Sequence, residues 1–283
     1  MEIAINQALQ TLSNPFLDGL MQVFTEVGGK LIFLLVAIIL YLCIDKKYAY
    51  QFVNVFFIGH TCVELTKLCI ARPRPYTYDG VLSIGEETLG YSFPSGHTNS
   101  ISNLSTQLSL KTKNKWVIII GAILTLVVMF TRVYLGQHFL TDVLVGLLYG
   151  VGFAFLFTKL WSFLKDKEES LSYVTVPICL IIAILGCVFG FANKDFLVIL
   201  GAYSAFSLGY VLEKHFVKYE VKSDKKYKYV IRTVITLVIV LTIKEGMKLL
   251  PITNDFIMEF VRYFLIGIVA VFLMPALFKK IKI

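Results

Sequence analysis

The sequence predicts an all-α fold: a polytopic membrane helix bundle of about nine transmembrane helices preceded by an N-terminal interfacial helix. Three observations predict it. The 283 residues are 57% apolar and only 16% charged, and their mean hydropathy of +0.75 is far above that of a soluble domain. Apolar runs approaching the roughly 17 to 25 residues that cross hydrocarbon recur along the whole chain. Lys and Arg cluster in the short connections, in excess at every second one.

In chain order, residues 3–27 carry Ile5, Leu9, Leu12, Phe16, Leu20 and Phe24 at helical spacing, interleaved with Asn6, Gln10, Asn14, Asp18 and Gln22. That mixture suits a helix lying in the membrane interface over residues 1–28, or a hairpin of two short helices broken at Asn14-Pro15, better than a span. No basic start leads into a short apolar run and a small-residue cleavage site, so no removed leader is expected. Nine apolar runs follow, at about 30–45, 49–70, 97–110, 116–133, 139–158, 173–192, 196–212, 229–246 and 260–278. The third is short, as befits a helix starting below the surface at Pro94-Ser95-Gly96-His97. With no internal repeat or low-complexity linker, residues 1–283 read as a single membrane domain. Its helical core runs over 30–160, and a four-helix membrane region occupies 170–283.

Charge parity orients the bundle, because cytoplasmic loops collect positive charge. If the amino terminus is outside, the inner loops receive Lys46 and Lys47, then Lys111, Lys113 and Lys115, then Lys159, Lys165 and Lys167. The six lysines from Lys214 to Lys228 with Arg232 follow, and finally Lys279, Lys280 and Lys282, which together make 18 of the 27 basic residues. The carboxyl terminus is then cytoplasmic. The net charge of +8 is spread over these loops and forms no basic domain able to hold a duplex, so no nucleic-acid partner is expected. Cys43, Cys62, Cys69, Cys179 and Cys187 all lie in apolar runs without paired or metal-type spacing and read as small core residues.

Three polar blocks break the apolar pattern at helix ends, all on the predicted non-cytoplasmic side. The first is Lys67-Leu-Cys-Ile-Ala-Arg72-Pro73-Arg74-Pro75, the second Pro94-Ser95-Gly96-His97, and the third Thr131-Arg132 followed by His138 and Asp142. His138 and Asp142 are four apart and share a helix face. A carboxylate there can fix one ring nitrogen and leave the other free to attack phosphorus, or the two residues simply satisfy each other. Ser95-Gly96 at a helix start offers backbone N–H groups, the helix dipole and close approach to an anion, or is a plain cap. His97 stands without an obvious carboxylate neighbour, as a proton donor to a leaving oxygen would. Lys67, Arg74 and Arg132 can meet the oxygens of a phosphoryl group, or snorkel as basic side chains at span ends do. His60, Glu64 and Lys67 share one stripe, so Glu64 is a candidate to hold Lys67.

Taken together, Lys67, six residues, Arg74-Pro75; Pro94-Ser95-Gly96-His97; and Thr131-Arg132, five residues, His138, three residues, Asp142 resemble the signature of the type 2 phosphatidic acid phosphatase family of membrane phosphatases. Thr131 stands where that family usually has serine, and keeps its hydroxyl. The resemblance covers roughly residues 1–160. It implies His138 as nucleophile, Asp142 as its partner and His97 as acid and base. It further implies Lys67, Arg74, Ser95, Gly96 and Arg132 as phosphate ligands in a reaction that uses neither metal nor organic cofactor.

The expected activity is release of phosphate from a lipid phosphate or diphosphate, polyprenyl diphosphate first, at the extracytoplasmic face of the cell membrane, through a phosphohistidine. A soluble sugar phosphate is a second substrate class, suggested by nine spans, which resemble the glucose-6-phosphatase branch. A lipid transporter or scramblase is a reading of another class. Transport sites usually lie near mid-membrane between repeats, whereas these blocks gather at one face with no repeat.

Overall fold

The structure is a computed structural model that describes residues 1–164, 166–190, 194–249 and 255–283, and of Lys30, Asp255 and Phe256 the backbone alone. Lys165 and the last two positions of the expected 173–192 run lie outside the described residues. The described residues contain helices and no strand. In order they are α1 (Glu2–Gln10), α2 (Pro15–Thr25), α3 (Lys30–Ile39), α4 (Lys46–Ile70), α5 (Gly96–Thr112) and α6 (Lys115–Tyr134), followed by α7 (Leu140–Leu164), α8 (Glu168–Phe189), α9 (Lys194–Leu212), α10 (Tyr227–Gly246), α11 (Asp255–Ile268) and α12 (Met274–Ile281).

The start of the chain takes the hairpin form. Asn14 caps α2 by accepting the Leu17 N–H at 3.0 Å, and Pro15 sits at the first helical position, where its missing N–H costs nothing. The polar stripe of α1 faces protein: the Asn6 amide, fully buried, donates to the carbonyls of Val133 (2.8 Å) and His138 (3.1 Å). Gln10 donates to the carbonyls of Leu82 and Tyr134.

Within the described residues each of the nine expected runs is largely helical, but fewer are apolar and long enough to cross a membrane. Among the described residues six qualify: Lys46–Thr77, Lys115–Tyr134, Leu140–Leu164, Glu168–Phe189, Lys194–Val217 and Ile257–Ile281. A seventh is added if Pro15–Gly28 and Leu31–Ile44 count as one broken span. The expected count of nine is not reached by this measure. Helix α5 carries Asn99, Asn103 and Gln107 on buried faces, and α10 carries Lys228, Arg232, Lys244 and Glu245.

The described residues group into two compact units, Met1–Leu34 with Ile58–Leu160, and Leu35–Phe57 with Trp161–Ile283. Helix α4 gives its first half to the second unit and its second half to the first. In the first unit α5 is the central element, lying against α6 and against the turn Glu26–Gly28, while α1 and α2 pack on α6. Small residues permit that closeness. A methyl on Gly121 of α6 would lie 2.8 Å from the Ser105 Cβ, and one on Gly146 of α7 would lie 2.6 Å from the Ser95 carbonyl oxygen. One on Gly150 would overlap the Ser102 hydroxyl. The Gly146–Gly150 spacing is the small-xxx-small pattern of membrane helix contacts.

In the second unit α9 packs against α8 and α11. Glu213 at its end is a buried hub that accepts Lys46 Nζ at 2.9 and 3.0 Å and the Tyr219 N–H at 2.6 Å. Tyr203 donates to Asn54 at 2.6 Å and stacks on Phe57 with 3.8 Å between centroids.

Candidate active site

All eight residues singled out in the three blocks lie in the first unit, and backbone hydrogen bonds tie the blocks to one another. Ser95 donates its N–H to the carbonyl of Asp142 at 2.9 Å, joining the second block to the third. Tyr76 donates its backbone N–H to the carbonyl of Gly136 at 3.2 Å, and the Arg74 side chain donates through Nη1 to that of Gln137 at 3.0 Å, joining the first to the third. Ser92, just before the second block, donates to the carbonyls of Arg72 (2.9 Å) and Pro73 (3.0 Å).

The five residues between Arg132 and His138 have a structural reason. After α6, Gly136 adopts φ +72°, which favours glycine, and reverses the chain. The carbonyl of Arg132 then accepts both the Gln137 and the His138 N–H at 3.1 Å, folding His138 back beneath the arginine. Helix α7 starts two residues later, with Asp142 in its first turn.

His138 is buried, with Nε2 lying 3.4 Å from Arg74 Nη1. A guanidinium only donates, so Nε2 is the accepting, unprotonated nitrogen and Nδ1 carries the proton. Nδ1 faces Asp142 Oδ2 at 3.5 Å, outside hydrogen-bond contact, and has no other partner among the described residues. Burial, then the charges of Arg74, Arg132, Lys67 and His97, push the His138 imidazole well below its usual range. Both causes favour a neutral ring, the form with a free lone pair.

The cations are held rigidly. Arg74, 2% exposed, also donates to the carbonyls of Gly90 (2.9 Å) and Leu89 (3.2 Å). Arg132 donates to the hydroxyls of Thr25 (3.1 Å) and Thr88 (3.3 Å), and its Nε–H has no partner among the described residues. Lys67 donates to Glu64 at 2.7 Å, the contact that their spacing on α4 suggested. Gly96 lies beside it, for a methyl there would be 3.8 Å from Lys67 Nζ and 3.6 Å from the His60 ring. Ser95 caps α5, its hydroxyl accepting from the Thr98 N–H at 3.4 Å and the Thr98 hydroxyl at 3.1 Å. Gly28 backs His97 so closely that a methyl on it would sit 2.8 Å from the His97 carbonyl oxygen.

The blocks alone did not reveal Arg72 as a partner of Asp142. Its Nη1 donates to Asp142 Oδ1 at 2.8 Å, while Asp142 Oδ2 accepts the Phe139 N–H at 2.8 Å. Nor did they reveal Glu2, Thr25 or Thr88. The available signal was the recurrence of Glu2, Asn6 and Gln10 every four residues on the first helix.

Residues 30–166 match the PAP2 superfamily, and residues 197–283 match the family described as PAP2 superfamily phosphatase, transmembrane extension. An undecaprenyl-diphosphatase from Sulfolobus acidocaldarius is 32% identical over 148 residues, which are 52% of this chain and 71% of the relative. Among solved structures, a transmembrane PAP2 type phosphatidylglycerolphosphate phosphatase from Bacillus subtilis aligns with TM-score 0.50 and 27% identity over 58% of this chain and 86% of its own. LpxE from Aquifex aeolicus shares the fold at TM-score 0.50 and 22% identity, covering 56% of this chain and 94% of its own. From its motifs, its helical membrane fold and its relatives, the chain belongs to the PAP2 superfamily and is a multi-pass membrane phosphatase.

Proposed function

We propose that this phosphatase hydrolyses a lipid phosphate or diphosphate, a polyprenyl diphosphate before others, through a phosphohistidine at His138. The observation that carries the reading is the gathering of Lys67, Arg74 and Arg132 in one unit around a buried imidazole whose lone-pair nitrogen lies 3.4 Å from Arg74. Three fixed cations and the N–H groups at the start of α5 suit the equatorial oxygens of a transferring phosphoryl group. The undecaprenyl-diphosphatase relative supports the choice of lipid.

In the first step the His138 Nε2 lone pair attacks phosphorus as the bond from phosphorus to the bridging oxygen breaks. His97 gives that oxygen its proton, and the lipid leaves as an alcohol or a monophosphate. Asp142 steadies the positive charge that grows on the ring. In the second step water attacks the phosphohistidine while His97 takes its proton. The P–N bond breaks, inorganic phosphate forms, and His138 returns to neutral. The cations carry the neutralising role that a metal has in other phosphatases, so no metal enters either step.

By the lysine and arginine parity, the site opens on the extracytoplasmic side, with the amino terminus outside and the carboxyl terminus in the cytoplasm. Head-group chemistry at a bilayer face lets the apolar tail of the substrate stay in lipid. The test is phosphate release by the purified protein from a prenyl diphosphate, a phosphatidate, a phosphatidylglycerol phosphate and glucose 6-phosphate. The reading expects turnover of the lipids, prenyl diphosphate fastest. A preference for the soluble sugar phosphate without dispersed lipid would overturn it.

A further inference from the structure

Arg72 takes no part in the steps above, yet its guanidinium makes three side-chain hydrogen bonds. Nη1 donates to Asp142 Oδ1 at 2.8 Å and to the Thr141 hydroxyl at 2.7 Å, and Nη2 donates to Glu2 Oε2 at 2.5 Å. Its plane lies 4.0 Å from the centroid of the Phe139 ring. The other Glu2 oxygen accepts the Thr141 N–H at 3.0 Å and the Thr141 hydroxyl at 2.7 Å. The Thr141 hydroxyl therefore donates to Glu2 and accepts from Arg72, and the ring of contacts closes.

Two consequences follow from that ring. A cation seated between two carboxylates is already neutralised, so Arg72 is poorly suited to bind the substrate's phosphate, unlike Arg74 and Arg132. With Oδ1 gripped by Arg72 and Oδ2 by the Phe139 N–H, the fully buried Asp142 carboxylate cannot rotate, and Oδ2 stays aimed at His138. We propose that Arg72, held from its far side by Glu2, is a positioning residue that fixes the Asp142 carboxylate against His138, making the N-terminal helix part of the catalytic apparatus. The proposal rests on the reading of His138 as nucleophile and Asp142 as its partner.

The charged groups around this carboxylate are Arg72 after α4, Glu2 on α1 and His138, with Arg74, Arg132, Lys67 and His97 acting on the imidazole. Burial alone would raise the Glu2 carboxyl, but hydrogen bonds from Thr141 and Arg72 outweigh it and hold the group below its usual range. Glu2 therefore stays charged where the enzyme works.

The experiment uses the purified full chain in detergent and follows phosphate release from a prenyl diphosphate. Arg72→Gln is expected to lower kcat on the order of ten- to a hundredfold, as loss of a group orienting a histidine partner does, with little change in KM. The acid limb of the kcat profile should move to higher pH, because Asp142 has lost its cation. Arg72→Lys restores the position of that limb in part, whereas Glu2→Gln, which removes a negative charge and leaves Asp142 the undivided charge of Arg72, shifts the limb to lower pH. A several-fold rise in KM with the limb unmoved would make Arg72 a substrate ligand and overturn the proposal, as would wild-type kinetics in both Arg72→Gln and Glu2→Gln. If Arg72→Gln shows no cooperative melting, the limb in Glu2→Gln decides alone. His138→Ala and Asp142→Asn separate the two readings. If they keep turnover, the histidine reading falls and takes this one with it. If they lose turnover while Arg72→Gln keeps wild-type kcat and pH profile, only the role of Arg72 falls.

Discussion

Ser95 gives its backbone N–H to the carbonyl of Asp142 at 2.9 Å, so the cap of one helix is hydrogen-bonded to the first turn of another 47 positions along the chain. This bond sets the start of α5 beside the turn that carries His138. Ser95 and Gly96, the proposed phosphate ligands, and His138, the proposed nucleophile, are therefore fixed relative to each other by main chain as well as by side chains.

Replacing His138 with alanine should reduce phosphate release by roughly 10³-fold or more, as removal of a nucleophile does elsewhere, while expression and melting temperature persist. Radiolabelled substrate should leave an acid-labile, base-stable phosphoryl group on the wild-type protein and none on the variant. Turnover retained in His138→Ala would remove this residue from the nucleophile role.

If His97 protonates the leaving oxygen, His97→Ala should cost about 10²- to 10⁴-fold with a lipid alcohol as leaving group. The loss should be far smaller with p-nitrophenyl phosphate, whose phenolate leaves without a proton. Equal losses on the two substrates would assign His97 another task.

The depressed His138 ring makes a prediction about stability. An unfolded imidazole takes a proton near pH 6.5 or so, whereas the folded ring stays neutral well below that. Between those two points the unfolded chain binds more protons, so stability falls as pH drops below about 6.5. Melting temperatures of wild type and His138→Asn in detergent should converge as pH is lowered from 7.5 to 5. Parallel curves would contradict the burial and the cation field inferred around the ring.

Gly150→Ala places a methyl against the Ser102 hydroxyl and 2.6 Å from the Asn99 carbonyl oxygen. Overpacking of this kind should destabilise by about 1–3 kcal/mol, read as a lower melting temperature. Gly152→Ala, on the same helix with open space around it, should leave melting unchanged. Equal effects of the two would mean that α7 does not pack on α5 through Gly150.

Much of this was legible in the linear chain. Apolar runs of membrane-crossing length, and their charge breaks at Lys67, Arg74, Arg132, His138 and Asp142, are local patterns, because hydrocarbon forces every spanning backbone to satisfy itself as helix. The spacing of Glu64 and Lys67 gave their contact in advance for the same reason: residues three apart on a helix are neighbours wherever that helix goes. What the order of residues could not convey was the partner of each polar group across the fold. The N-terminal hairpin has polar residues every four positions, which suits a watery interface as well as a protein groove, and only packing showed Asn6 and Glu2 turned inward onto the turn that carries His138. Helix α5 reads as a short span, but Gly121, Gly146 and Gly150 let neighbouring helices close around its polar faces. Asp142 was paired with His138 from their separation of four, yet the closest cation to its carboxylate comes from Arg72, 70 residues earlier, because charge pairing in a buried site follows distance in space.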